Sequence, residues 1–326
     1  SLQTKTIKPG IIAVCNRHQI PIEILGSVSA SGGPINYIDS SVLVFTTKLD
    51  ALPDYGQSVS VPQNASHLIY RIPGLVKTYE AAINKWSLPR ALAPVQELKA
   101  NIVEGHPAYV YQADKATLIF KKDVQITEPI IIPEGLKVML RPGTKLDLIK
   151  ASFVLSYSAV QFLGTEEAPI EIVSSDKSAR SFTVLKGTGK SRINYTRFAH
   201  LGAFSFKGWN LPGAVNFYES DVDIYNTVFT HNSCEDALNI VRSTFDFKNN
   251  TICHTYADGF DADFCTGTVD NSYFHHTGND AIDFSTSKVT IKDCSIEKVG
   301  DKGISMGEQG EALIINTKID GANIGI

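Results

Sequence analysis

EDALNI begins at Glu235, ADGFDAD at Ala257, NDAIDFS at Asn279 and DKGISMG at Asp301. Laid over one another, these stretches share columns spaced 22 residues apart. One column reads Asp236, Asp258, Asp280, Lys302. The next reads Ala237, Gly259, Ala281, Gly303, continued by Gly325. A third is wholly apolar: Leu238, Phe260, Ile282, Ile304, Ile326. A second register runs beside them, Asn226, Asn249, Asn271, Asp293 and Asn316, each followed three residues later by Phe229, Ile252, Phe274, Ile296 or Ile319. Inside each unit the apolar residues alternate, as in Val222/Ile224, Leu238/Ile240, Ile282/Phe284 and Val289/Ile291. A period of two belongs to strands, and the unit is too short for most two-helix repeats. Several short strands per coil specify a parallel β-helix, in which coils lie about 4.8 Å apart and like positions stack. An Asn recurring once per coil can bond through its amide to its neighbours and to turn backbone.

The pattern resembles the right-handed parallel β-helix repeats of the pectate-lyase-like superfamily, over about 115–326. The Asn column is similar to the asparagine ladder of those proteins. PIIIPEGLKVMLRPGTKLDL, from Pro129 to Leu148, resembles the first coils of many surface β-helices. The resemblance implies a polysaccharide partner, a bacterial cell-surface or secreted location, and lyase, C5-epimerase or glycoside hydrolase chemistry if the chain is an enzyme. Calcium is the cofactor implied, bridging to an acidic sugar as in the family's lyases. The hydrolase branch's Asp-Asp pair, Gly-His-Gly and Arg-x-Lys are missing from this repeat. That leaves a non-catalytic structural or adhesion module as the alternative.

Ahead of the repeat, short alternating runs at Ile11, Ile20, Val42 and Leu68 are separated by SGG, LPDYG and VPQNAS. They predict a small antiparallel β-sandwich-like domain over 1–90. VCNRHQIPIEILG resembles accessory β domains that precede such β-helices. Residues 76–86 fit a helix or another strand. Pro89 and Pro94 mark a linker over 91–114, before the β-helix at 115–326.

Composition sets outer limits. Of 326 residues, 43% are hydrophobic and 20% charged, as in a folded globular chain. No apolar run approaches the roughly 18 residues of a membrane span, so no membrane insertion is expected. The net charge of -4 divides unevenly: residues 212–326 hold 7 Lys and Arg against 18 Asp and Glu. An acidic C-terminal third does not suit nucleic acid, and repels any polyanion unless a cation intervenes. Five cysteines, an odd count without a CxxC pair, exclude a full disulfide framework and argue against a zinc site; small buried hydrophobes are the expectation.

Alternation gives the candidate site. If Leu238, Phe260, Ile282 and Ile304 point inward, then Asn239, Asp261, Asp283 and Ser305 point outward, with Asp263 beside them. Stacked carboxylates repel and require a raised pKa, a cation or a donor network. Asp261, Asp263 and Asp283 are therefore the candidate calcium ligands, and Asp261 and Asp283 the candidate catalytic pair. The lyase chemistry that the resemblance implies needs a base, for which Arg242 and Lys302 are the candidates. Asn239 and Asp263 are candidate substrate contacts. So are Phe204 and Trp209, in an insertion that stretches the Phe198–Phe229 step to 31 residues. The plainer readings are a solvated acidic face and an aromatic loop packed on its own scaffold. Asp236, Asp258 and Asp280 read as turn residues that accept backbone bonds. His200, His231, His254 and His276 form a further column, read as a stack or as groups for metal binding or proton transfer. Gly325 and Ile326 repeat Gly303 and Ile304, which predicts further domains of a longer native chain or a pairing partner at that edge.

Overall fold

The computed structural model describes residues 2–16, 20–45, 57–83 and 98–326, in two compact units, Ser1–Pro94 and Val95–Ile326. In the first unit, the strands Leu2–Lys8, Ile11–Asn16 and Gln57–Ser60 form one antiparallel sheet. Asn36–Val44, Ile22–Val28, His67–Arg71 and Thr78–Ala82 form another. Ile12, Val14 and Val59 meet Ile22, Ile24, Val44 and Leu68 in one core. This is the expected sandwich. The ambiguous 76–86 stretch contributes the strand Thr78–Ala82; its last residues, with Pro89 and Pro94, lie outside the described residues.

The second unit is a parallel solenoid of three sheets. Sheet I runs from Val124–Ile126 to Lys318–Asp320 in nine strands, and sheet II from Ile130–Ile132 to Ile304–Gly307 in eight. Sheet III runs from Thr117–Phe120 to Glu311–Ile315 and carries Tyr109–Gln112 antiparallel at its first edge. The register is the one the columns predict: Leu238, Phe260, Ile282 and Ile304 are Cα partners in succession and fully buried. Phenylalanines fill the interior, with the Phe198 and Phe229 rings stacked at 5.1 Å. The small-residue column has a steric cause. A Cβ on Gly259 would sit 2.5 Å from the Ala281 carbonyl oxygen, and one on Gly303 2.6 Å from Ile319.

Most corners of the later coils are turned by a residue in the left-handed region. Between sheets III and I these are Asn226, Asn249, Asn271, Asp293 and Asn316, with φ from 43° to 56°. Asn tolerates this conformation best among residues with a side chain. Its amides also run coil to coil: Asn249 Nδ2 donates to Asn226 Oδ1 at 3.3 Å, and Asn271 Nδ2 to Asn249 Oδ1 at 2.8 Å. Asn316 Nδ2 donates to Asp293 Oδ1 at 2.6 Å. Asn249, Asn271, Asp293 and Asn316 are exposed and Asn226 is half-buried, so these side chains serve turn geometry and not a buried polar spine. The buried polar residue is the next one along. Ser220, Ser243 and Ser287 at one corner, and Thr227, Asn250 and Ser272 at another, take backbone N–H bonds from the preceding coil. Ser220 N donates to Ser243 Oγ at 2.8 Å, and Asn250 N to Ser272 Oγ at 3.1 Å. Cys265 and Cys294 occupy the same positions, their thiols donating at 3.2 Å to the carbonyls of Asp263 and Lys292. They are buried in the hydrophobic core, as expected, and also act as serine equivalents.

The expected linker over 91–114 is corrected in its described part. Asn101 trades bonds with the Ile131 backbone at 3.0 and 2.7 Å, and Ala108 and Tyr109 are buried in the solenoid core. The first coil of a parallel solenoid presents an open apolar end, and this segment covers it.

Candidate functional site

On the outer face of sheet II the register column reads Thr183, Asn216, Asn239, Asp261, Asp283, Ser305. Beside it runs Leu185, Tyr218, Val241, Asp263, Ser285 and Gly307. At the N-terminal edge, Asp236 and Asp258 pair in register, and the corner residues Asp280 and Lys302 follow in the next coils. Six aspartates therefore share one face, three of them, Asp236, Asp258 and Asp280, with 8% exposure or less.

Their partners are few. Asn239 Nδ2 donates to Asp236 Oδ2 at 3.2 Å and to Asp261 Oδ2 at 3.0 Å. Asp258 Oδ1 accepts from Asn279 Nδ2 at 2.7 Å and the Asp280 N–H at 2.9 Å. Lys302 gives its N–H to Asp280 at 2.9 Å and its ammonium to Asp280 and Asp301 at 3.2 and 3.1 Å. Burial, then the charges of Asp261 and Asp258, push Asp236 up to about 9. Burial, then Asp263 and Asp283, push Asp261 up to about 8. Asp283 is also raised, by burial first, but a Ser305 hydrogen bond and the Lys302 charge pull it back. Desolvation and crowding thus favour the protonated form of Asp261 at neutral pH, while Ser305 and Lys302 oppose the rise at Asp283.

Acidic columns elsewhere on the solenoid are built differently. On sheet III, Lys248 and Lys292 flank Asp270 at 3.0 and 3.3 Å from adjacent coils. On sheet I, Lys145 and Arg197 flank Glu171 at 3.5 and 3.9 Å. Acidic register pairs also occur on sheet III, where Asp223 and Asp246 stack on adjacent coils, but there Lys190 pairs with Asp223 and the Tyr225 hydroxyl donates to Asp246 at 2.8 Å, whereas Asp261 is crowded by Asp263 and Asp283.

The ends of the acidic strand carry exposed rings. Tyr256, 73% exposed, precedes Asp258–Asp263, and Phe264, 53% exposed, follows it. Phe264 holds a corner with φ 55°, where the other coils place Lys186, Glu219, Arg242, Thr286 and Glu308. Arg242 lies with its guanidinium 5.0 Å from the Phe264 ring and 5.8 Å from that of Tyr218, whose hydroxyl accepts its Nη1–H at 2.6 Å.

The family model described as a right handed beta helix region matches residues 236–326, the coils that bear these aspartates. The solenoid is a right-handed parallel β-helix. Among solved structures, this β-helix protein is similar to the periplasmic alginate epimerase AlgG, at 10% identity and a TM-score of 0.23, over 66% of this chain and 80% of that one. It is similar to the catalytic unit of a GH87 alpha-1,3-glucanase from Streptomyces thermodiastaticus, at 10% identity and a TM-score of 0.33, over 96% and 84%. The A-module of Azotobacter vinelandii mannuronan C-5 epimerase AlgE4 matches at 10% identity and a TM-score of 0.17, over 61% and 87%. No residue role passes from these structures to the β-helix at such distances. No curated protein matches the sequence.

The β-helix brings Asp261, Asp263 and Asp283 onto one face, as the alternation predicts, but not around one point. Among the described residues, the metal-ligand side chains whose donor atoms converge within 4.8 Å are His254, His275 and His276. Asn239 is 3% exposed and orients two carboxylates from below, so it is not placed to touch a ligand. Lys302 is held protonated by Asp301 and Asp280, which argues against its acting as a base. Arg242 is drawn to Tyr218 and Phe264 on the rim. Phe204 is 1% exposed and meets Phe153 edge-on at 5.0 Å. The insertion is a hairpin, Phe204–Phe206 with Trp209–Leu211, and Trp209 packs with it over Leu155 and Leu185 on the early coils of sheet II. A ring buried in that way offers no face to a sugar, so Phe204 belongs to the scaffold.

Sequence reasoning missed Tyr256 and Phe264, and read Asp236 as a turn residue although it lies at the start of a strand. The signal for Phe264 was available: it is the apolar exception in a polar corner column.

Proposed function

We propose that the acidic face of sheet II binds and hydrolyses a polysaccharide met at the cell envelope or outside the cell. The observation that carries this reading is the register pair Asp261–Asp283, stacked on adjacent coils with no cation between them. Adjacent strands lie about 4.8 Å apart, which suits two carboxylates flanking one glycosidic bond with the second as nucleophile. Asp261, protonated, gives its proton to the leaving oxygen as the C1–O bond breaks. Asp283 attacks C1; water then releases the sugar and returns the proton to Asp261. Tyr256 and Phe264 supply ring faces on which pyranose units can stack at either end. Six aspartates favour a neutral glycan over a uronate, because a polyanion would meet like charge.

The test is a panel of neutral and uronate polysaccharides, with and without calcium, read by released reducing ends and by affinity electrophoresis. Cleavage of a neutral glycan, calcium-independent and reduced at least about a hundredfold in Asp261→Asn and in Asp283→Asn, supports the reading. Unsaturated products from a uronate, dependent on calcium, replace it with a calcium-assisted lyase. Retardation without cleavage reduces it to a binding module, and neither leaves the structural or adhesion role.

A further inference from the structure

We propose that His254, His275 and His276 form a site for a transition-metal cation of the Zn2+ class, separate from the acidic face. His254 and His276 are corner residues of successive coils, with φ of 53° and 55°, and their rings stack at 4.9 Å. His275 ends the strand Tyr273–His275 and turns its ring to the same corner, 5.5 Å from that of His254. Backbone bonds fix the arrangement: His254 N donates to the His275 carbonyl at 3.2 Å and His276 N to that of Glu297 at 3.1 Å.

One donor nitrogen from each ring lies within 4.8 Å of the others, and the Nδ1 atoms of His275 and His276 are 2.8 Å apart. Nitrogens bound at about 2.0–2.1 Å to a tetrahedral zinc sit about 3.4 Å from each other, inside that span. Neutral imidazole is the ligand form. The carboxylate nearest in register, Glu297, is engaged by the hydroxyls of Tyr273 at 2.9 Å and Ser295 at 3.3 Å. Three imidazoles with a fourth position open to water suit zinc, copper or nickel and are a poor set for calcium.

The rest of the histidine column provides the comparison. His200 and His231 stack at 5.1 Å in the same conformation, but Ala199 and Thr230 stand where the last coil has His275. The doubled histidine, and not the column, makes the site.

Calorimetric titration of the whole chain with Zn2+ alone tests this. One ion per chain is expected, with affinity weakened at least tenfold in His275→Ala and in His276→Asn, which keeps a residue suited to the left-handed corner. His200→Asn should bind as the parent does. Circular dichroism confirms that each variant is folded. No binding by the parent, equal binding by His275→Ala, or equal weakening in His200→Asn would each overturn the proposal.

Discussion

Asp236 shows how much a single side chain is made to bear. It is 1% exposed, its recorded side-chain hydrogen bond comes from Asn239, and it is pushed up to about 9 from an ordinary 3.8. A carboxyl whose pKa is raised on folding binds more protons in the folded state, so its contribution to stability falls as pH climbs from about 4 towards 9. The melting temperature should therefore decline between pH 5 and pH 9. Asp236→Asn, which keeps the shape and removes the charge, should flatten the decline and exceed the parent at pH 9 by at least about 1.4 kcal/mol, one pKa unit's worth. Parallel curves for the two proteins would show that Asp236 is not strained. The sequence located this residue to the column but not its burden. Alternation says which way a side chain points; how many carboxylates crowd it depends on two neighbouring coils and on the amide of Asn239.

The corners are where element-scale reading was both best and worst. Spacing set the strands and register of sheets I, II and III, because a slip of one residue would expose Leu238, Phe260 and Ile282 together. The recurring Asn was tied to the turns, while the recurring His was read only as a stack or as metal-binding or proton-transfer groups; the left-handed corner conformation that both share was not visible. Nor was the role of the residue that follows each one. Cys265 takes a backbone N–H bond from Ser243, donates to the carbonyls of Asp263 and Ile240, and has its thiol pushed up by burial to about 11. Cys265→Ser should leave stability within about 1 kcal/mol, whereas Cys265→Val, similar in size but without a donor or acceptor, should cost about 1–3 kcal/mol in thermal unfolding. Equal losses would mean that packing alone selects the cysteine. The 98–114 segment escaped notice for another reason. An end cap belongs to no repeat, so periodicity is silent about it, and prolines nearby make it look like a linker.

At the scale of the whole molecule, the β-helix uses two solutions for acidic residues on its faces. Sheets I and III flank Glu171 and Asp270 with lysine and arginine from adjacent coils, and give the stacked Asp223 and Asp246 a lysine and a tyrosine hydroxyl as partners. Sheet II concentrates them, buries half of them, and leaves an aromatic ring at each end of one strand. Alternation in the sequence already places Asp261, Asp263 and Asp283 on one outward face; the fold adds Asp236, Asp258 and Asp280 to it. That contrast is the basis for placing function there, and the acid assigned to Asp261 is its most specific consequence. On whichever neutral polysaccharide responds in the panel, the initial rate should be measured from pH 4 to pH 9. The rate should fall as pH rises through about 8, the value to which Asp261 is pushed, and Asp261→Asn should remove both this limb and nearly all of the rate while remaining folded. A folded Asp261→Asn that cleaves at the parental rate, with the same alkaline limb, would contradict the assignment.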